Sequence, residues 1–217
     1  MGSRALVLNA ALAAIASAPV LAQANLQSTT RFGIIGGANL ATFTRGMFTN
    51  PSNRTGFAAG LMAELPVLPS FAIQPELVFT TKGANETRAG YPATANVDYI
   101  EVPVLARFEI PAFSPVKPFV YGGPGFAHRV RCSFEANGGA VTCDAEDAQA
   151  QRASPGYKTN TTDVDGIIGT GLAFDVEGKR MTVSVRYDAG FVKLLNRADS
   201  KNRVLSFMGT LEWPFHR

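Results

Sequence analysis

The chain has 217 residues, one domain's worth, and a formal charge of +3 that becomes +2 if a leader carrying only Arg4 is removed. So weak a balance, with no Lys/Arg-rich run, gives no support to a nucleic-acid partner. Charged residues are 17% of the chain against 10% aromatics and 21 glycines, and long A/E/K/L-rich segments are missing, so an all-β chain with many turns is expected.

Residues 1–24 read as a signal peptide. Arg4 supplies the positive start, Ala5–Ile15 the apolar stretch, and Ala22-Gln23-Ala24 an A-x-A cleavage site before Asn25. The rest, 25–217, is expected to form one domain. None of its apolar runs approaches the roughly 18–20 residues a spanning helix needs.

Eight segments alternate with period two. The first is Arg31–Thr44, with Phe32, Ile34, Ala38 and Leu40 on one face and Asn39 on the other. Thr55–Leu65 opposes Phe57, Ala59, Leu61 and Leu65 to Gly60, Met62 and Glu64. Phe71–Gly83 sets Phe71, Ile73, Pro75, Leu77 and Phe79 against Gln74, Glu76, Val78, Thr80 and Lys82. Val97–Ile110 sets Ile100, Val102, Val104 and Phe108 against Tyr99, Glu101, Arg107 and Glu109. In Lys117–Val130 the run Gly122-Gly123-Pro124-Gly125 interrupts the phase, which implies a bulge or a missing ladder bond.

Cys132 and Cys143 flank Asn137-Gly138, a strong hairpin turn. Pairing across it sets Phe134 opposite Val141 and Cys132 opposite Cys143, so a disulfide clamping an exposed hairpin is expected. Asp163–Glu177 then places Val164, Ile168, Leu172 and Val176 opposite Asp163, Asp165 and Asp175. Arg180–Val192 opposes Met181, Val183, Val185 and Tyr187 to Arg180, Arg186 and Asp188. Arg203–Phe215 opposes Leu205, Phe207, Leu211, Trp213 and Phe215 to Ser206, Thr210 and Glu212.

The connections cover about 45–54, 66–70, 84–96, 111–116, 131–162, 178–179 and 193–202, alternating long and short. Transmembrane barrels have short periplasmic turns, longer outside loops and an even strand number. Aromatics gather towards both ends of the apolar face: Phe71, Phe108, Phe174, Trp213 and Phe215 near the short turns, Phe57, Phe79 and Phe191 near the long loops. The expected fold is an all-β, eight-stranded antiparallel up-and-down transmembrane β-barrel in the cell outer membrane, reached by export. Its lipid face would carry Leu77 and its neighbours. Its interior would hold a polar network of Gln74, Glu76, Lys82, Glu101, Arg107, Asp175, Arg186, Asp188 and Glu212, because buried ionisable groups must pair with one another. A soluble periplasmic barrel binding an apolar ligand would invert the two faces.

Six stretches, RFGIIGGANLATF, FAIQPELVFTTKG, VDYIEVPVLARFEI, KPFVYGGPGFAHR, DGIIGTGLAFDV and SVRYDAGFVKLLN, are spread along nearly the whole mature chain, from Arg31 to Asn196. Their order and spacing resemble the PorT-like, or porin-family, small outer-membrane β-barrel proteins common in Bacteroidetes. The resemblance implies an eight-stranded outer-membrane barrel and no established common activity. Such barrels usually finish on an aromatic residue that the outer-membrane assembly machinery reads. Here Phe215 ends the last strand in phase, and His216-Arg217 reads as a tolerated extension.

The chemistry-bearing motifs are sparse. The histidines are His128 and His216, and no metal spacing, nucleophile elbow or phosphate loop accompanies them. His128 with Asp163 or Asp165 is the one conceivable acid–base pair, so no enzyme, cofactor or metal is expected. The charged constellation reads as a network that fills a small barrel, with a narrow path for small solutes as the alternative. The 131–162 segment is the expected partner-facing element, through edge pairing or adhesion, besides outer-membrane lipid itself.

Overall fold

The computed structural model describes residues 29–44, 51–88, 91–111, 115–136, 139–145, 159–194 and 201–215. The leader, His216 and the Asn137-Gly138 turn lie outside them. Among the described residues nine strands form: β1 (Arg31–Phe43), β2 (Arg54–Leu68), β3 (Phe71–Arg88), β4 (Tyr91–Glu109), β5 (Val116–Ala136), β6 (Gly139–Thr142), β7 (Thr162–Val176), β8 (Lys179–Gly190) and β9 (Asn202–Pro214). Eight of them, all but β6, run β4-β3-β2-β1-β9-β8-β7-β5 in antiparallel neighbours, and pairing of β4 with β5 closes the ring. Each strand thus pairs with its sequence neighbour, β1 meets β9 from Arg31↔Pro214 to Phe43↔Asn202, and no edge is left in the wall. No described helix is long and apolar enough to cross a membrane.

The face assignment follows the period-two pattern. On β3, Leu77 is 51% exposed and points outward while Glu76 is 4% exposed and points inward. Outward too are Ile34, Leu61, Val104, Ile168, Val183 and Phe207, a continuous apolar belt that water would not tolerate and hydrocarbon does. The inverted arrangement of a soluble barrel is therefore excluded. Aromatic contacts mark both ends of the belt: Phe32 meets Phe215 edge-on at 5.5 Å, and Phe57 meets Phe79 at 5.8 Å. The β7–β8 connection is the two-residue turn Glu177-Gly178, both with positive φ, as a tight hairpin joining right-twisted strands requires.

Two features differ from the sequence expectation, the 84–96 stretch and the place of the β5 bulge, and the Gly122–Gly125 run meets one of its two alternatives. The stretch 84–96 is no loop: β3 and β4 stay paired from Gly83↔Asn96 to Arg88↔Tyr91, leaving just 89–90 between them. Around Gly122-Gly123-Pro124-Gly125 the ladder to β7 continues without a shift, from Gly122↔Ile168 to Gly125↔Asp165, while the ladder to β4 lapses between Ala106↔Gly122 and Pro103↔Gly125; the missing ladder bonds are there without a bulge, and Pro124 is exposed to the lipid side. The bulge sits instead at Val130. Tyr99 pairs with Arg129 and Asp98 with Arg131, so Val130 is the extra residue. That one insertion reverses the phase of β5 and turns Cys132 inward, where it is buried. Beyond it β6 takes over the edge that β7 vacates, pairing Phe134↔Val141 and Ala136↔Gly139, and Cys132 and Cys143 form a disulfide with Cα atoms 5.4 Å apart.

Candidate functional site

Inward-facing residues of the eight wall strands fill the barrel in layers. At the short-turn end, Glu64 of β2 collects three guanidinium groups: Arg180 Nη1 at 3.0 Å, Arg107 Nη1 at 3.2 Å and Arg31 Nη1 at 3.5 Å. Arg107 also reaches Glu109 at 3.4 Å and Glu212 at 3.8 Å, and its guanidinium lies 3.8 Å from the Phe119 ring centre. Arg180 pairs with Glu109 as well, and its Nε donates to Asp175 at 2.9 Å. A cleft of about 240 Å3, lined among others by Arg31, Glu64, Ser70, Glu109, Lys117 and Arg180, opens beside this cluster.

One layer further in, Gln74 accepts from Arg107 at 3.3 Å and donates to Glu76 at 2.7 Å. Arg186 joins Glu76 at 2.7 Å and Asp188 at 2.9 Å. The Tyr121 hydroxyl meets Ser184 at 3.2 Å, and the ring fits because the facing residue is Gly169, where a Cβ would collide with it. Towards the outer end, Lys82 Nζ sits between Glu101 at 3.1 Å and Asp165 at 3.0 Å. Asp163 accepts the backbone N–H groups of Val164 and Val192 and the Asn202 amide. Above all this the filling turns apolar: Phe43, Ala84, Ala95, Val97, Cys132, Cys143 and Leu194 cluster together, with Phe134 packed against them.

Of the nine residues expected inside, Gln74, Glu76, Lys82, Glu101, Arg107, Arg186, Asp188 and Glu212 are buried. Asp175 sits at the rim, half-exposed, held by Arg180 and by Lys117 at 2.7 Å. Glu64, Arg180, Asp163 and Asp165 belong to the same buried set. The signal for them was already in the strand phase, which puts each on the polar face. Their partners across the barrel, 83 residues apart for Lys82 and Asp165 and 116 for Glu64 and Arg180, were not in it. His128 is exposed and faces away from the interior that holds Asp163 and Asp165, so the conceivable acid–base pair is not brought together. Among the described residues no cluster of three or more His, Cys, Asp or Glu side chains is arranged to hold a metal ion.

A closed eight-stranded ring with an apolar outside and a charged inside is the architecture of an outer-membrane barrel. The sequence profile described as "Outer membrane protein beta-barrel domain" matches residues 21–196, and the chain belongs to that family and to the outer membrane. Neisserial surface protein A shares the fold, with a TM-score of 0.52 at 13% identity over 85% of this chain and 97% of that one. Further similar structures are OprG of Pseudomonas aeruginosa (TM-score 0.47, 13% identity, 87% and 97% covered) and Ail, the attachment invasion locus protein of Yersinia pestis (0.42, 13%, 86% and 100%). No curated protein matches the chain.

Proposed function

We propose that residues 1–24 are removed on export and that the mature barrel, 25–217, has a structural or loop-mediated interaction role, with an interior that passes no solute. The observation that supports this reading is the double stopper. The layers of ion pairs across the middle bury Arg107, Lys82 and Glu212 almost completely, and the apolar cluster around Val97 and Leu194 closes the outer end. Eight-stranded barrels are just wide enough for side chains to fill them. What reaches the exterior is then the β3–β4 hairpin and the disulfide-clamped pair β5 and β6; a protein or surface partner would be met through these and through 131–162, of which 146–158 lie outside the described residues. No catalytic step is assigned, since His128 and the buried aspartates lie on opposite sides of the wall.

Planar-bilayer recording tests the reading. The purified barrel should give no discrete conductance steps. Stable steps that disappear when Arg107 or Arg186 is neutralised would overturn it in favour of a narrow pore. Edman sequencing of the protein from outer membranes should begin at Asn25.

A further inference from the structure

The two halves of the interior differ in charge balance. Near the short turns four cations, Arg31, Arg107, Lys117 and Arg180, face four carboxylates, Glu64, Glu109, Asp175 and Glu212. In the outer half, Lys82 and Arg186 face five: Glu76, Glu101, Asp163, Asp165 and Asp188, all buried. The nearest further cations are engaged elsewhere. Arg54 donates to the Lys82 carbonyl at 3.1 Å, and Arg129 to Thr159 at 2.6 Å and Asp144 at 3.1 Å. Even with Arg54 counted, negative charge is in excess, and uncompensated buried charge is strongly unfavourable.

In that half lies a cavity of about 10 Å3, whose polar walls are Asn39, Thr80, Glu101, Arg186, Asp188 and Ser206. It is sized for one water-like sphere. Two oxygens on these walls, Asn39 Oδ1 and Glu101 Oε1, have no hydrogen-bond partner, although both residues are about 98% buried or more. Arg186 Nη2 stands 3.9 Å from that Glu101 oxygen, beyond hydrogen-bond reach. The Asn39 amide group is committed to Thr80 and Thr81, so what it offers the cavity is an acceptor. A cavity of single-ion size, walled by orphan acceptors where carboxylates outnumber cations, is a cation's environment. We propose that the barrel folds around one small hard cation, held by the oxygens of Asn39, Glu101, Asp188 and the two hydroxyls. Two carboxylates with Arg186 beside them, and fewer than the 6–8 oxygens calcium takes, favour a sodium-class monovalent ion.

The polar residues that wall the cavity are all buried, so the cation is taken up during folding. Barrel extracted from outer membranes, unfolded in urea and refolded into detergent in sodium chloride, calcium chloride or choline chloride at equal ionic strength, tests the proposal through its unfolding midpoint. A saturable rise with sodium and none with choline supports the site, whereas a rise with calcium alone overturns the monovalent assignment. Equal midpoints in all three salts overturn it and leave a water in the cavity. Asn39→Ala and Ser206→Ala, milder than Glu101→Gln, should each raise the half-saturating concentration tenfold or more. A cation response unchanged in all three variants would also overturn the assignment.

Discussion

Arg186 has its guanidinium shared between Glu76 and Asp188 and is almost wholly buried, whereas Lys117 and Asp175 form their ion pair in partial contact with solvent. The same chemistry has different consequences in the two places. Arg186→Met leaves carboxylates buried without a partner and should cost about 3–5 kcal/mol. Lys117→Met removes a screened pair and should cost under about 1 kcal/mol. Urea titration of the refolded variants separates the two cases, and equal losses would contradict the burial argument. Glycine packing offers a second residue-scale prediction. A Cβ at Gly171 would come 2.7 Å from the Phe119 ring and 2.7 Å from Ser184 Cβ, so Gly171→Val should destabilise by about 1–3 kcal/mol through overpacking, read in the same titration.

At the scale of elements, the outer hairpins continue the wall beyond the membrane. Above Phe79 and Ile100, the outward residues of β3 and β4 are Asn85, Thr87, Thr94, Asn96 and Asp98, while Ala84, Ala95 and Val97 point inward and are buried. The faces have exchanged character because the outside medium has changed from hydrocarbon to water. The Val130 bulge brings β5 into the same scheme by turning Cys132 inward beside Val97. Cys132→Ser with Cys143→Ser should cost the hairpin about 2–3 kcal/mol of closure. The wall ladders do not depend on that link, so heat-modifiable gel migration should be kept while proteolysis within 131–162 quickens. Loss of heat modifiability instead would show that the clamp supports the barrel as a whole.

For the whole molecule, the position of the apolar belt predicts where charge is tolerated. Leu77→Arg places a charge in the lipid-facing belt and should cost about 2–4 kcal/mol in vesicles. Thr87→Arg, exposed above the belt, should stay within about 0.5 kcal/mol. A Thr87→Arg penalty as large as that of Leu77→Arg would move the outer interface upward.

The sequence by itself determined the class of fold, the direction of nearly every wall side chain and the pairing of Cys132 with Cys143. Each is a short-range consequence of a period-two pattern or of one turn, so the polar face of FAIQPELVFTTKG could be read without knowing its neighbours. The tertiary structure alone decided which charge meets which, because Glu64 with Arg180 and Lys82 with Asp165 are joined across the barrel and not along the chain. It also decided that 84–88 and 91–96 are strand. There the residues are small and polar on alternate sides, a pattern that resembles a loop until Ala84, Ala95 and Val97 are seen closing the outer end. The placement of the bulge at Val130 in place of Gly122-Gly123-Pro124-Gly125 has the same origin. A proline on the lipid side interrupts the ladder to β4 only locally, whereas burying Cys132 with the apolar cluster requires the whole strand beyond Arg129 to change phase.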